Sequence, residues 1–461
     1  MSTALLSVSN ILLFAAILGI FWAGQNIFYK ETVLYYWGNY IIVMLYIGIL
    51  YFACKIYNSL NFGHVDSPEL VVSWILCIIT VNAFEYFQLC LQALRLLPVT
   101  GFLLIIAAQI VFIIPAVFLV NKLYYTVKPA HKAIIIYSNK EKADDYCLRL
   151  QNHKKKFIVI NSLSQDEPQE ILLRNIDEAE SVFFLNIEEK NKEYLFDYCF
   201  ARSKHMYILP TFSGVLLHTS QVSWISRTPM FLPGNSQMSI EARFIKRCMD
   251  VVVSLLAIIL LSGLMAITWL AIRLSDRGPA IYKQTRVTKN AEEFTLYKFR
   301  SMRVDAEKDG VARLMSKNDD RVTPIGRFIR RVRIDELPQL FNILNGDMSL
   351  VGPRPERPEI IEQYKLKYPN FSFRLKVKAG LTGLAQVFGD YSISPDEKLL
   401  LDIMYIEQFS IWQDIKLIMQ TVKVLFLPSS TQGVTEKKQE NEDDNKTVTT
   451  ITDKETQTHA K

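Results

Sequence analysis

Apolar positions fill the first 120 residues in four runs, about 4–24, 38–57, 70–94 and 99–120. Each is close to the ~20 residues that an α-helix needs to cross a ~30 Å hydrocarbon layer. The first run lacks a basic n-region and an A-x-A-like cleavage site, so it reads as a span and not as a signal peptide. Trp22, Tyr35, Tyr36, Trp37 and Tyr40 cluster near the ends of the first two runs, where an interfacial aromatic belt would place them. Lys122, Lys128, His131 and Lys132 follow the fourth run and assign that end to the cytoplasm. Four spans over 1–122 then return the amino terminus to the same side. Glu85 lies within the third run and Arg95 beside it; Glu85 reads as a structural group facing the bundle interior, with a polar pathway as the sharper alternative.

After residue 131 the period changes. Ala133–Tyr137, Phe157–Ile160 and Ser181–Leu185 are strand-like and alternate with polar, helix-compatible stretches, the rhythm of βαβ units on a parallel sheet. Residues 132–210 therefore read as a degenerate Rossmann-like α/β domain. A dinucleotide site needs glycines directly after the first strand, and Tyr137, Ser138, Asn139, Lys140 and Glu141 stand there instead, which argues against a nucleotide-sugar dehydratase or epimerase. Residues 211–240, with Pro229, Pro233, Gly234 and Asn235, read as a connector. A fifth apolar run, Val251 to Ile272, is basic on both sides: Arg243, Lys246 and Arg247 before it, Arg273, Arg277, Lys283 and Arg286 after it. Positive charge at both ends favours keeping both ends on one side. With Ser262 and Gly263 in the middle as a weak point, the run predicts a re-entrant membrane helix over about 249–274 in place of a simple fifth span.

Composition fits a membrane anchor joined to soluble domains. The chain has 461 residues, is 50% hydrophobic and 21% charged, and carries a formal net charge of +6; its mean hydropathy is +0.14. It is too apolar for an ordinary cytosolic enzyme and too charged for a transporter made only of spans. Residues 241–428 hold 29 Lys+Arg and 22 Asp+Glu, a net of +7. The positive balance is thus concentrated in one segment. Residues 429–461 are polar and without aromatics, and predict a disordered tail. The six cysteines are scattered with no C-x-x-C pair, so neither a zinc site nor a disulfide framework is suggested.

The stretch Thr323 to Pro355 carries the chemistry. Arg327, Arg330, Arg331 and Arg333 precede an adjacent carboxylate pair, Asp335 and Glu336, and Arg354 stands between Pro353 and Pro355. Guanidinium forks bind phosphate oxygens bidentately. One carboxylate can hold Mg²⁺, which takes few protein carboxylates, and the other can attack phosphorus. The same acids before Pro338 also suit the start of a helix, and the arginines also suit a patch on anionic lipid.

Eight ordered motifs decide between these readings: Lys246-Arg247-x-x-Asp250; Gly278-Pro279 with Gln284-x-Arg286; Lys298-Phe299-Arg300-Ser301-Met302; Asp305-Ala306-Glu307; Asp335-Glu336-Leu337-Pro338-Gln339; Gly346-Asp347-Met348-Ser349; Gly352-Pro353-Arg354-Pro355; and Leu381-Thr382-Gly383-Leu384-Ala385-Gln386. With them, residues 241–428 resemble the bacterial sugar transferase family, the monotopic polyprenyl-phosphate sugar-1-phosphate transferases, and the amino-terminal half resembles the family's longer members. The resemblance implies an α-rich catalytic domain with a re-entrant helix and a ping-pong reaction. Asp335 would take a sugar phosphate from a UDP-sugar, release UMP and pass the group to undecaprenyl phosphate, with Glu336 holding Mg²⁺. It further implies that Arg330 and Arg354 grip phosphates, with Gln284, Arg286, Lys298 and Arg300 as further substrate-binding residues. Glucose is the expected sugar, galactose the next. The expected setting is the bacterial inner membrane with the catalytic domain on the cytoplasmic face, a homodimer for the long form, and no nucleic-acid partner. Two positions depart from the family pattern: Ser262-Gly263 where Ser-Pro is usual, and Ala379-Gly380 where Pro-Gly is frequent. The non-enzymatic alternative, a membrane scaffold for polysaccharide assembly, leaves the 241–428 motifs unexplained. Leu399 to Leu427, with Tyr405, Phe409 and Trp412, reads equally as an interfacial helix pair or as helices packed on the domain.

Overall fold

The computed structural model describes residues 2–29, 38–151, 154–233, 238–276, 278–303, 321–389 and 393–427. The expected tail, the Asp305-Ala306-Glu307 motif, Arg277, Gly234, Asn235 and the aromatic cluster Tyr35–Trp37 lie outside these residues. The chain divides into two units, 1–218 and 219–461.

The first unit opens with helices α1 (Ser2–Phe28), α2 (Gly38–Tyr57), α3 (Ser67–Ala93) and α4 (Val99–Val127). All four are long and apolar enough to cross a membrane. Buried polar side chains tie them together. Gln109 on α4 donates to Ile17 O on α1 (2.9 Å) and to the Tyr46 hydroxyl on α2 (3.0 Å), and accepts from Asn82 on α3 (2.7 Å). In an apolar interior such bonds fix one helix register, because the alternative is an unsatisfied amide. Glu85 is fully buried on α3, one turn after Asn82. The α2–α3 loop returns to the end of α4, where Gly63 N donates to Asn121 Oδ1 (2.9 Å) and Lys156 bonds His64 O.

An α/β layer follows: β1 (His131–Tyr137), α5 (Lys140–Gln151), β2 (Phe157–Ser164), α6 (Gln169–Glu178), β3 (Ser181–Leu185), α7 (Glu189–Ala201), β4 (His205–Ile208) and α8 (Phe212–His218). The four strands are parallel in the order β2-β1-β3-β4. Alternate residues of the central strands fill two cores, as a two-residue side-chain period requires. Ile134, Ile136, Val182 and Phe184 pack with Leu172, Ile176, Leu195 and Cys199 of α6 and α7, whereas Ala133, Ile135, Phe183 and Leu185 pack with Ala143 and Leu150 of α5.

The stretch expected to be a plain connector instead holds α8 and an antiparallel hairpin, β5 (Gln221–Ile225) with β6 (Thr228–Leu232). Ser226 and Arg227 form its turn with positive φ (51° and 67°), a two-residue geometry that sequence reading missed because no glycine marks it.

The second unit continues with α9 (Ile240–Asp276), β7 (Ile281–Val287), β8 (Glu293–Phe299), α10 (Pro324–Arg331), α11 (Gln339–Asn345), β9 (Ser349–Val351), α12 (Pro358–Lys367), β10 (Gly380–Thr382), α13 (Leu384–Phe388), α14 (Pro395–Glu407) and α15 (Ile411–Leu425). The fifth helix apolar enough to cross a membrane is α9. It is one helix of 37 residues, running through Ser262 and Gly263, with Ser262 Oγ bonded to Ile259 O at 2.9 Å. The expected weak point is therefore not an interruption of the helix. Lys246, Asp250, Ser254, Thr268 and Ile272 are its buried positions and keep to one helix face. Around them Leu256, Ile259, Leu260, Ile267 and Leu270 are exposed.

Both ends of α9 rest on the same domain. Lys246 Nζ reaches Asp414 Oδ2 (2.5 Å) and Val351 O (3.0 Å); Arg247 donates to Ile343 O and Leu344 O (2.6 and 2.7 Å); Asp250 Oδ1 accepts from Ser349 Oγ (3.1 Å) and Leu350 N (3.0 Å). At the far end Met265 and Ile272 pack with Ala280, Phe299, Ile325 and Ile329. The Lys246-Arg247-x-x-Asp250 motif is thus an anchor: it pairs a buried aspartate, caps the carboxyl end of α11 and holds β9. Helices α14 and α15 each bury one side, including Leu399, Ile403, Ile406 and Leu417, while Trp412 and Phe426 stay exposed.

Candidate active site

Four pieces of chain meet at the carboxylate pair. β7 and β8 pair antiparallel, placing Tyr282 opposite Lys298. Helix α10 begins at Thr323, whose hydroxyl accepts from Gly326 N (2.9 Å), followed by Pro324 at the first helical position. Gly326 sits against the exit of β8: a Cβ there would lie 1.9 Å from Ser301 O, so only glycine lets the helix approach. The helical repeat then divides the four arginines. Arg327 and Arg331 are exposed, whereas Arg330 turns inward and its Nη1 is buried without a hydrogen-bond partner among the described residues. Arg333 takes a left-handed conformation (φ 54°, ψ 23°) that ends α10 and turns the chain into the 3₁₀ turn Ile334–Glu336. A non-glycine residue held there stores strain of about 1 kcal/mol or more, directly before Asp335.

The two carboxylates have unlike surroundings. Glu336 Oε1 accepts from Arg354 Nη2 at 2.9 Å and from Lys298 Nζ at 3.2 Å, while Oε2 lies 3.9 Å from Arg333 Nη1. Burial opposes its charge, but Arg354, Lys298 and Arg333 outweigh burial and hold it well below the usual carboxylate range. Asp335 is 8% exposed. Burial, and then the Glu336 charge, push its pKa up, with Lys298, Arg330 and Arg354 only partly offsetting them. Environment thus pulls two adjacent acids apart, favouring the charged form of Glu336 and raising the pKa of Asp335 above that of an ordinary aspartate. Burial also pulls Lys298 below the usual lysine range, against the pull of Glu336.

Asp335, Glu336, Arg330, Lys298 and Arg354 come together as expected. Arg300 is buried just after β8, and its backbone N–H bonds Ala280 O at 2.8 Å. Gln284 and Arg286 stand differently. Arg286 donates Nε and Nη2 to Gln284 Oε1 (3.0 and 2.7 Å) and Nη1 to Pro355 O (3.1 Å), so each guanidinium nitrogen has a protein acceptor. Both residues face the segment carrying Arg354. Alternation along β7 puts Gln284 and Arg286 on one face but does not say what that face meets.

Arg354 rides on a strap, Gly352–Glu356, that leaves β9 where β9 pairs parallel to β10. The backbones approach so closely that a Cβ on Gly352 would lie 2.4 Å from Lys378 O, and one on Gly380 would lie 2.1 Å from Gly352 N. Beneath the strap is a charge network that sequence reasoning missed. Arg374, 2% exposed, donates Nη2 to Arg354 O (2.9 Å) and pairs with Asp402 (2.8 Å) and Glu356 (3.7 Å). Glu356 also pairs with Arg286 (3.6 Å) and Lys398. Burial opposes ionisation of Glu356, yet Lys398, Arg374 and Arg286 hold its pKa at about 2, and burial lowers Arg286 to about 10. Glu356 adjoins the proline-flanked arginine and was open to notice. Arg374 and Asp402 belong to no pattern and meet only in the fold.

Helix α11 is fixed to β8 by Asn342, which accepts from Tyr297 N (3.0 Å) and donates to Thr295 O (2.8 Å) and Asp347 Oδ2 (3.0 Å). Pro338 precedes α11, so the acids stand in the turn before a helix and not within its first turn. Among the described residues no three His, Cys, Asp or Glu side chains converge. A divalent ion here would rest on Glu336 and on oxygens brought by a substrate, a donor set that suits Mg²⁺, and would share the Glu336 oxygens with Arg354, Lys298 and Arg333.

The geometry gathers cationic side chains around a buried carboxylate pair. A family model described as bacterial sugar transferase matches residues 241–428. The chain is 38% identical over 234 residues to the undecaprenyl-phosphate galactose phosphotransferase of Salmonella typhimurium, covering 47% of this chain and 48% of that protein. It is 44% identical over 193 residues to the galactosyl transferase CpsE of Streptococcus agalactiae, covering 40% and 42%. It is 39% identical over 198 residues to the UDP-glucose:undecaprenyl-phosphate glucose-1-phosphate transferase of Caulobacter vibrioides, covering 42% of this chain and 74% of that protein. The chain spans about half the length of most of the relatives it matches. Since the matched residues are those that carry the dyad and its arginines, and three quarters of the Caulobacter protein is accounted for, the chain belongs to the bacterial sugar transferase family.

Proposed function

We propose that this protein transfers a sugar-1-phosphate from a UDP-sugar to undecaprenyl phosphate. In the first half-reaction an Asp335 oxygen attacks the β-phosphorus, the bond to the bridging oxygen of the α-phosphate breaks, and UMP leaves. In the second, an oxygen of undecaprenyl phosphate attacks the acyl phosphate, giving the lipid diphosphate sugar and restoring the Asp335 carboxylate. The observation that carries the reading is the split dyad: a basic, buried Asp335 beside a Glu336 held ionised by Arg354, Lys298 and Arg333. Arg330, whose buried Nη1 has no hydrogen-bond partner among the described residues, and Arg354 beside Glu336 support a role for both in gripping phosphate oxygens; phosphoryl transfer asks chiefly for such positioning and charge neutralisation. Mg²⁺ held by Glu336 would neutralise charge on the diphosphate.

The membrane arrangement we propose rests on α9. A straight crossing would put its ends on opposite faces of the bilayer, yet Lys246 and Ile272 both pack on the same polar domain. Because α9 is unbroken, this supports a helix that lies along one leaflet with both ends cytoplasmic, in place of the expected dip and return, at a bacterial inner membrane, in a chain with four amino-terminal spans. The relatives' names include both glucose and galactose; glucose is our expectation for this chain, galactose the next. The step would begin capsular or exopolysaccharide synthesis, with the chain acting as a homodimer.

The test is transfer of radiolabelled sugar phosphate to polyprenyl phosphate, run with a panel of UDP-sugars and scored by UMP release. Asp335→Asn, nearly isosteric but a poor nucleophile, is expected to abolish transfer and the covalent species; full activity in that variant would refute the aspartyl mechanism.

A further inference from the structure

We infer that Arg374 and Arg286 are positioning residues that preset Arg354 by clamping the strap from beneath, and that Glu356 is the ionic link between them; the inference rests on the transferase reading of this site. Both arginines direct a donor to a strap carbonyl, Arg374 to Arg354 O (2.9 Å) and Arg286 to Pro355 O (3.1 Å). Both also pair with the strap's own acid, Glu356, at 3.7 and 3.6 Å. The strap is therefore held at three consecutive residues, and the side chain of the first, Arg354, emerges on the other side to meet Glu336 at 2.9 Å.

Two further observations separate a clamp from a binding site or a stabilising core. The cavity lined by Thr288, Arg354, Glu356 and Arg374 is only about 10 Å³, the size of one water, which leaves no room for a ligand. And burying the five charges of Arg286, Arg374, Lys398, Glu356 and Asp402 is a poor route to stability, since ion pairs at such depth roughly break even with well-packed apolar side chains. What the network provides is direction: a guanidinium that donates along fixed vectors to a backbone carbonyl holds the next side chain's origin in place. Phosphoryl transfer is sensitive to displacements of about 1 Å, worth about 100-fold in rate.

The test is a double-mutant cycle on the full chain, reading UMP release against UDP-sugar concentration for wild type, Arg374→Lys, Arg354→Lys and the double variant. Arg374→Lys keeps the charge but loses the guanidinium geometry that lets Nη2 donate to Arg354 O while Nη1 faces Glu356. It is expected to raise KM for the UDP-sugar about tenfold, and to add less than about twofold in the Arg354→Lys background, because its effect passes through Arg354. Multiplying effects would show an independent role and overturn the inference. Glu356→Gln, nearly isosteric, enters the same cycle in case Arg374→Lys melts too low to assay. Hydrogen exchange gives a readout that needs no turnover: the amides of Val287 and Gly380 donate to strap carbonyls Glu356 O (3.1 Å) and Pro353 O (2.9 Å). Their exchange should quicken in Arg374→Lys and in Glu356→Gln, and unchanged protection would overturn the clamp. Wild-type protein that releases UMP from no UDP-sugar would refute the transferase reading instead, leaving the exchange result to judge the clamp.

Discussion

Asp335 and Glu336 are adjacent in the chain and chemically opposite in the fold. A single peptide bond separates them, but the 3₁₀ turn after the strained Arg333 sends Glu336 toward Arg354 and Lys298 and leaves Asp335 buried with cations that only partly offset its burial. The sign of the consequence is fixed. Asp335 must be ionised to attack, and its folded-state pKa is raised by burial and then by the Glu336 charge, so activity should fall on the acid side at a higher pH than an ordinary aspartate's ~3.9 would give. Removing the neighbouring charge with Glu336→Gln should move that acid limb of the residual activity downward, by the part of the shift that Glu336 supplies. Single-turnover UMP release against pH measures it. A limb that stays put or moves up would show that the two acids are not electrostatically coupled in the way described.

Among the elements, α9 has the clearest division of labour. Its first three turns are a polar anchor centred on Lys246, and the remainder exposes an apolar stripe while Thr268 and Ile272 stay buried. That ammonium meets Asp414, which is fully buried and whose pKa burial raises against the pull of Lys246; the Tyr405 hydroxyl bridges Asp414 and Val351 O. Removing one partner of such a pair leaves an uncompensated buried charge, worth about 3–5 kcal/mol, whereas replacing both with apolar groups is close to neutral. Lys246→Met should therefore destabilise the second unit strongly, and Lys246→Met with Asp414→Leu should recover most of the loss. Thermal unfolding in detergent compares the two; a double variant no more stable than the single would refute the pairing as the cause.

At the scale of the whole molecule, the question is which side of the bilayer each segment meets. The buried face of α9 runs from Lys246 to Ile272 along one domain, and the proposed arrangement puts both ends in one compartment. In a chain with Cys248→Ser, cysteines introduced at the exposed positions Arg243 and Arg273 should both react with a membrane-impermeant maleimide from the cytoplasmic side and neither from the outside. Labelling of the two from opposite sides would establish a crossing and displace the single-leaflet arrangement.

Much of this was legible without coordinates, and the reason is locality. Apolar runs of membrane length, the βαβ rhythm after residue 131 and the capping of α10 by Thr323-Pro324 are properties of neighbouring residues, and period, composition and backbone chemistry express them directly. So is the pairing of acids with arginines between Arg327 and Arg354, which announces phosphate chemistry. Tertiary structure decided the rest, because direction is not local. It turned Arg330 inward and left Arg327 and Arg331 outside, spent Arg286 on Gln284 and Pro355, gave the Lys246 motif an anchoring role, and brought Arg374 and Asp402 under a strap about 20 and 50 residues before them. The sequence by itself determined which chemical groups are available and which segments are long and apolar enough to cross a membrane. Only the packed chain, by excluding water and fixing distances, determined which carboxylate meets Arg354, Lys298 and Arg333 and which arginines stand beside the pair.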